Sequence, residues 1–545
     1  AMVAILRSCL AANSIRSGRR AMLPSSRMIS QMTAPGFKQK EVRNLRLTTA
    51  ERLRLDMTLE LGELTERVDV EAAVTPLMQE SAEISETITA AEIRNIPLNT
   101  RAPYGLLSLT PGVSSTSNDP SQFVDTDVNL TISGSRHRGN AFVVDGASTT
   151  HIGGIPERIG SIEALHEFKV LASPYSAEFG RTAGAVVSFQ VKSGTQNFHG
   201  SLYEFHRNNA LNAANWQNNA NNVRPSALIR NEFGGTLGGP VPGLKKRMFF
   251  FASYEGLRDR IPQNRTRTIP DPALRGGNFS GLPVVVNDPD ARAPFPNNAI
   301  PASRLDPAAV KFLQLFPQPN TQGVYNSRFG IWSNNWLRAA PQNDGKNFGI
   351  LRVDYNPTDR DKLFTTFSHI NEGPRDLVRD FTNVLNTTVG PRFRNIRRLT
   401  IGYTRFLRPN LTHEFLAFAQ RDPRKIDPWY PDFDVTSQLG IQRKVGTSLP
   451  TINIAGGYGG YGNSNYDNWV HQPAGLTSSW TAMRGRHTWK YGAQLYQNQF
   501  WYISASNLSG TYNFNGDITG LGSAGQNNPV NALADLLLGA VKSAS

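Results

Sequence analysis

The residues that could carry covalent chemistry do not complete any catalytic pattern. Gly457-Tyr458-Gly459-Gly460-Tyr461-Gly462 contains a GxGxxG string behind a candidate strand, Thr451 to Ala455. A dinucleotide site also needs a helix opening at the last glycine and an acidic residue about 20 positions on. Asn463-Ser464-Asn465-Tyr466-Asp467 follows instead, so the stretch reads as a Gly/Tyr-rich loop. The nine histidines are scattered, with no HExxH motif and no evenly spaced carboxylate pair. His199 and His206 flank an alternating run and fit the two ends of a strand better than a metal site. There is no GxSxG elbow. Cys9 is the only cysteine, which excludes an internal disulfide framework and a CxxC metal site. The expectation is no cofactor, no metal and no enzyme activity.

Binding chemistry has one weak candidate. Asn212 to Asn221 (NAANWQNNAN) reads as a solvated loop, in which Trp216 could stack on a sugar or an aromatic ligand. The net charge of +14 at first suggests nucleic acid, but its placement argues otherwise. Arg7, Arg16, Arg19, Arg20, Arg27, Lys38 and Lys40 all precede the first acidic residue, Glu41, and no dense basic stripe follows. No nucleic-acid partner is expected.

The elements that must position these residues read as β-structure. No apolar run reaches the roughly 18 residues of a transmembrane helix. A mean hydropathy of −0.37 remains compatible with a membrane barrel, whose strands need only about ten residues of alternating polarity. Ala185 to Lys192 alternates, with Val187, Phe189 and Val191 on one face, and Ser193-Gly194 breaks it. Thr89 stands three residues before Glu92, a capping box that opens a short helix at Ala90. Beyond Gly200 the expected strands are Gly200 to Arg207, Asn231 to Gly239, Arg247 to Leu257, Gly349 to Asn356, Asp361 to Ile370, Arg398 to Phe406, Leu411 to Gln420 and His487 to Gln497. Their connections alternate long and polar (208–230, 258–348, 371–397, 421–486) with short and proline-bearing (240–246, 357–360, 407–410). That parity is the mark of a barrel with long loops on one side and tight turns on the other.

Several ordered blocks carry a family resemblance: NIPLNTRAPYGLLSLTPGV (Asn95 to Val113), SGSRHRGNAFVVDGAST (Ser133 to Thr149), AEFGRTAGAVVSFQVKSGTQNFHGSLYEFHRNNALNAANW, RNEFGGTLGGPV (Arg230 to Val241) and FFFASYEGLR (Phe249 to Arg258). Together they resemble Oar-like TonB-dependent outer-membrane receptors. The resemblance implies a mainly β chain: an α+β plug, then part of an antiparallel outer-membrane β-barrel, preceded by the remnant of a carboxypeptidase-regulatory-like β-sandwich. The expected division is 1–33 unassigned, 34–72 sandwich remnant, 73–195 plug and 196–545 incomplete barrel. It further implies energised uptake of an unidentified extracellular ligand, with a TonB-type periplasmic protein and outer-membrane lipid as partners. Thr65 to Ala72 (TERVDVEA) resembles the segment such a protein captures by strand addition, with Thr65, Glu66, Val68 and Val70 as its candidate residues.

Both ends depart from the family pattern. Residues 1–33 show no secretory signal and are expected to be a non-native start or a fragment edge. Pro529 to Ser545 reads as helix rather than as a closing strand, so an unfinished barrel is expected, with open edges that oppose stable insertion. Two other classes stay open on residues alone: a surface or secreted β-rich glycan-binding protein, and a soluble enzyme of unrecognised class.

Overall fold

The computed structural model describes the backbone of residues 5–11, 27–32, 39–46, 52–58 and 67–71. It then describes residues 84–544 except 97–100, 102, 116–129, 137, 152–153, 155–158, 174–175, 215, 217–218, 220–226, 245–246, 262, 341–342, 376–378, 389, 442–447 and 486.

Period-two apolar runs build an inner unit first. Its five-stranded sheet contains β1 (Ile84–Thr89), β2 (Ala141–Val144), β3 (Ala147–Ser148), β4 (Leu165–Ser173) and β5 (Val186–Val191), in the order β3-β2-β5-β4-β1. Phe168 lies opposite Phe189 and Val170 opposite Val187, so the alternating face of β5 is buried as expected. Helix α1 (Ala90–Asn95) opens where the capping box placed it, with the Thr89 N–H donating to the Glu92 carboxylate at 2.7 Å. Tyr104 meets Phe142 and Phe189 edge to face, at 5.8 and 5.6 Å between centroids, in the centre of this core.

After Ser193 the chain forms a nine-stranded antiparallel wall in strict sequence order. Its strands are β6 (His199–Asn208), β7 (Ile229–Pro240), β8 (Met248–Arg260), β9 (Asn343–Tyr355), β10 (Asp361–Arg375), β11 (Arg392–Arg408), β12 (Leu411–Ile426), β13 (Tyr466–Arg484) and β14 (His487–Ala505). Leu351, Leu399, Ile401, Trp489, Tyr491 and Leu495 are exposed on the outward face, while Thr400 and the other alternate positions turn inward. Charged Arg352 accordingly lies on the concave side, where a polar lumen tolerates it. Among the described residues the sheet does not close, and β6 and β14 are its rims.

One strand was not expected. The stretch 421–486, read from the sequence as a long polar connection, contains all of β13. Pro473 explains the miss, because proline argues against a central strand. The fold accommodates it with a gap: the β12–β13 ladder skips from Ala419↔Ala474 to Asp422↔His471, while Pro473 stays in register with Asn498 of β14. With β13 included, the connections still alternate long (209–228, 261–342, 376–391, 427–465) and short (241–247, 356–360, 409–410, 485–486). The correction reverses the direction of β14 relative to the sequence-based assignment.

The long connections are also not simply solvated. Segments 261–342, 376–391, 427–465 and 506–544 share one apolar core, which includes Phe279, Phe312, Phe316, Phe381, Tyr461 and Leu533. Trp336 stacks on Phe381 at 4.7 Å, and Phe316 meets Tyr461 edge to face at 4.7 Å. The C-terminal run expected to be helical forms α2 (Pro529–Leu537), capped by Asn528, with every residue buried in that core. Strands β13 and β14 have 19 residues each, about 63 Å at 3.3 Å per residue, well beyond the hydrocarbon thickness. Their turns on the tight side are short, so the excess rises on the long-loop side and carries this cap.

At the N-terminal end, two strands (Ile5–Ala11 and Arg27–Met32) lie within the region expected to be unassigned. Ile5–Ala11 pairs with Arg52–Thr58, and Arg27–Met32 begins a three-stranded sheet with Gln39–Arg46 and Arg67–Glu71.

Candidate functional site: the seat of the inner unit on the wall

The concave face of the wall holds the inner unit through separate polar contacts that run from β6 to β14. The first is centred on Asp145. The dipeptide Asp145-Gly146 turns β2 into β3 with both residues at positive φ (48° and 82°), the two-residue turn that Asp-Gly favours. This turn projects the Asp145 carboxylate into the wall. Its Oδ1 accepts from the Val191 N–H and from Arg352 Nη1, both at 3.1 Å, and its Oδ2 accepts from Thr366 Oγ1 at 2.8 Å. Arg352 also donates to the Val191 carbonyl at 3.2 Å and to Asp354 at 2.9 Å. Burial pushes the Asp145 carboxyl above its ordinary range, and the Arg352 guanidinium is the largest influence pulling it down.

A second contact joins Ser161 to the wall. Ser161 caps the short turn Ile162–Ala164, accepting from the Glu163 N–H at 3.1 Å, and donates to Glu255 Oε2 of β8 at 2.7 Å. Tyr203 of β6 donates to the same oxygen at 2.8 Å. Beside them Arg101 pairs with Glu163 at 2.8 Å and reaches Glu232 of β7 at 3.6 Å, with its guanidinium 3.9 Å from the Phe205 ring centroid. Towards the other rim, His151 packs against Trp469, His471 and Phe500 at 4.9, 4.9 and 5.6 Å between centroids. Lys490 pairs with Glu178, and Arg181 lies 3.5 Å over Tyr496. Apolar contact is limited: Phe251 and Ile350 are the wall residues that join the inner core.

This arrangement holds a folded unit by contacts that can be broken and re-formed one by one. Hydrogen bonds weaken steeply once stretched or bent and re-form when the geometry returns. The support of Arg352 can be tested: Arg352 stacks 4.7 Å over Phe364, and a Cβ on Gly402 would lie 2.0 Å from that ring. Gly402→Ala should therefore displace Phe364 and Arg352 and cost about 1–3 kcal/mol, measurable as a lower denaturant midpoint for the inner unit.

The sequence-based site residues fall elsewhere. Thr65 and Glu66 lie outside the described residues. Val68 and Val70 sit in Arg67–Glu71, which pairs in parallel with Gln39–Arg46 and forms a rim of its sheet, leaving one edge of that strand open among the described residues. Trp216 is 83% exposed on the 209–228 connection and takes part in none of the contacts above. The GxGxxG string, expected to be a loop, is a turn followed by a short strand, Gly459–Tyr461, paired antiparallel with Thr451–Ile454; Tyr458 and Tyr461 are buried in the cap, with Tyr461 Oη donating to the Thr268 carbonyl at 2.7 Å. Of the seat, Arg352 and Asp354 fall in a strand expected from the sequence, Gly349 to Asn356, but nothing in the sequence singled out Asp145, Ser161 or Glu255. The Asp-Gly turn signal was present in VVDGAS; the partner of Asp145 lies 207 residues away.

A 182-residue stretch is 30% identical to the TonB-dependent transporter Oar of Myxococcus xanthus and takes in 31% of this chain and 15% of that protein. Among solved structures, the outer membrane transporter YddB from Escherichia coli is similar at 11% identity and a TM-score of 0.42, over 77% of this chain and 54% of that one. The copper transporter OprC is similar at 9% identity and a TM-score of 0.42, over 78% and 48%. The chain thus spans about half the length of these structures. Residues 190–545 match the family model described as an outer membrane beta barrel domain. An antiparallel wall with an apolar outward face, alternating long and short connections and that match make this chain a member of the outer membrane β-barrel family, resident in the outer membrane.

Proposed function

We propose that the chain is the plug-bearing part of a TonB-dependent receptor that takes up an extracellular ligand at the expense of inner-membrane energy. The observation that carries this reading is the seat: a folded α+β unit held on the concave side of a barrel wall by the Asp145–Arg352 and Ser161–Glu255 contacts. A plug must close the lumen at rest and yield when pulled. Separate polar locks suit both needs, and the likeness to Oar agrees with the assignment. The cap on the long-loop side would meet the ligand first, and no covalent step is required of the chain.

The pull would enter through Thr65, Glu66, Val68 and Val70. A TonB-type partner adds a strand to an exposed backbone edge, and Arg67–Glu71 has such an edge opposite its pairing with Gln39–Arg46. Deleting residues 66–72 should abolish retention of the full chain on an immobilised periplasmic TonB domain and leave the melting of the wall unchanged. Undiminished retention would refute this entry point.

A further inference from the structure

The outward face of β11 and β12 carries two arginines with no counter-charge at the upper limit of its apolar band. Along this strand pair the outward residues lie opposite one another as Arg405/His413, Tyr403/Phe415, Ile401/Ala417, Leu399/Ala419 and Arg397/Arg421. Arg405 and Arg397 are eight residues apart, about 27 Å along the strand at 3.4 Å per residue. A tilt of about 40° reduces this to roughly 21 Å across the membrane, close to the height of the lipid-facing apolar band of such barrels, about 25 Å. Arg405 is next to the tight turn 409–410 and marks the inner limit; Arg397 and Arg421 mark the outer one.

The two limits differ in charge compensation. At the inner row Arg405 faces Asp361 at 3.8 Å, while His413 bonds Ser478 at 2.9 Å and stacks on Trp480 at 4.2 Å. At the outer row Arg397 and Arg421 are both exposed, and neither forms an ion pair among the described residues. Arg397 Nε makes only a long bond to Asn395 Oδ1 at 3.3 Å, and His369 shares that oxygen at 3.1 Å. The neighbouring carboxylate of Asp422 is on the opposite face, held by Arg394 Nε at 2.8 Å. Like charges directly opposite one another on a sheet face repel, so this row gains from an anion placed between them.

We propose that Arg397 and Arg421 bind the phosphate of a lipid headgroup in the outer leaflet, with His369 and Asn395 as flanking polar groups. Guanidinium forks match phosphate oxygens in geometry and charge. Leu399 and Ile401 immediately below offer an apolar surface to the acyl chains of the same molecule. A diffusible anion would have no use for that surface.

The test uses the full chain refolded in zwitterionic detergent micelles and titrated with bisphosphorylated lipid A, with its dephosphorylated form and with inorganic phosphate. Wild type should bind the phosphorylated lipid at least about tenfold more tightly than the dephosphorylated form. Arg397→Gln/Arg421→Gln should remove that preference, and Arg397→Lys/Arg421→Lys should keep part of it. Arg421→Gln alone, which leaves the Asn395 contact in place, should give an intermediate loss and serves if the double variant does not refold. Equal binding of the phosphorylated lipid by wild type and the Gln variants would overturn the proposal. So would competition by inorganic phosphate at the concentration of the lipid, because the site would then hold a free anion.

Discussion

Arg352→Ala should weaken the seating of the inner unit by about 3 kcal/mol at neutral pH, because it leaves a buried carboxylate without its counter-ion. Asp145 would keep the Val191 N–H and Thr366 Oγ1, two donors that do not replace a charge. The size of the loss should depend on pH in a definite direction. A carboxyl whose folded value is raised favours the fold fully below its unfolded value, about 3.9, and loses that contribution as pH rises through the folded value. Asp145 is already raised by burial despite Arg352, and removing the guanidinium raises it further. The gap between wild type and variant should therefore be widest near pH 7 and shrink towards pH 4, where Asp145 takes up a proton and needs no cation. Denaturant midpoints of the inner unit at the two pH values, with the strand signal of the wall as reference, would show this. A gap that is absent, or equal at both values, would mean that Asp145 and Arg352 are not coupled.

Leu537→Ala should open the cap as one body. Leu537 is fully buried at the end of α2, and its carbonyl accepts from the Asp306 N–H at 2.8 Å, so this helix end joins the last segment of the cap to the first. Truncating a buried leucine costs about 2–5 kcal/mol, depending on how far the site collapses. Because 261–342, 376–391 and 427–465 share their core with α2, amide protection should fall in all of them together. The wall strands should keep theirs. Loss confined to 529–544 would show that the connections fold independently, and would remove the basis for treating the cap as a single ligand-facing surface.

The wall was largely legible in the sequence because most of its strands carry their own period-two pattern. Leu399-Thr400-Ile401 and Trp489-Lys490-Tyr491 announce which face meets lipid without reference to any neighbour. Strand β13 lacks that local statement, since Pro473 and Gly475 interrupt it, and only its neighbours β12 and β14 hold it in register. The cap was illegible for a different reason. Its apolar residues, such as Ile269, Phe312, Phe381 and Leu533, are spread through connections that look polar individually, and they make a core only once the wall has gathered them. The seat lies between these cases. Alternation sets Arg352 on the face opposite Leu351 and Val353, but nothing local links it to Asp145, because that pairing arises when a folded unit is set against a sheet formed later in the chain.

A plug must leave the wall when force is applied ahead of it in the chain. Single-molecule pulling from a handle at residue 72, with the wall embedded in a bilayer and anchored on the long-loop side, tests this directly. Strands β1 to β5 should extend before any wall strand is extracted, and Arg352→Ala should lower the force of that first event. Extraction of β6 and β7 before the inner unit yields, or a first event whose force is the same in wild type and variant, would contradict it.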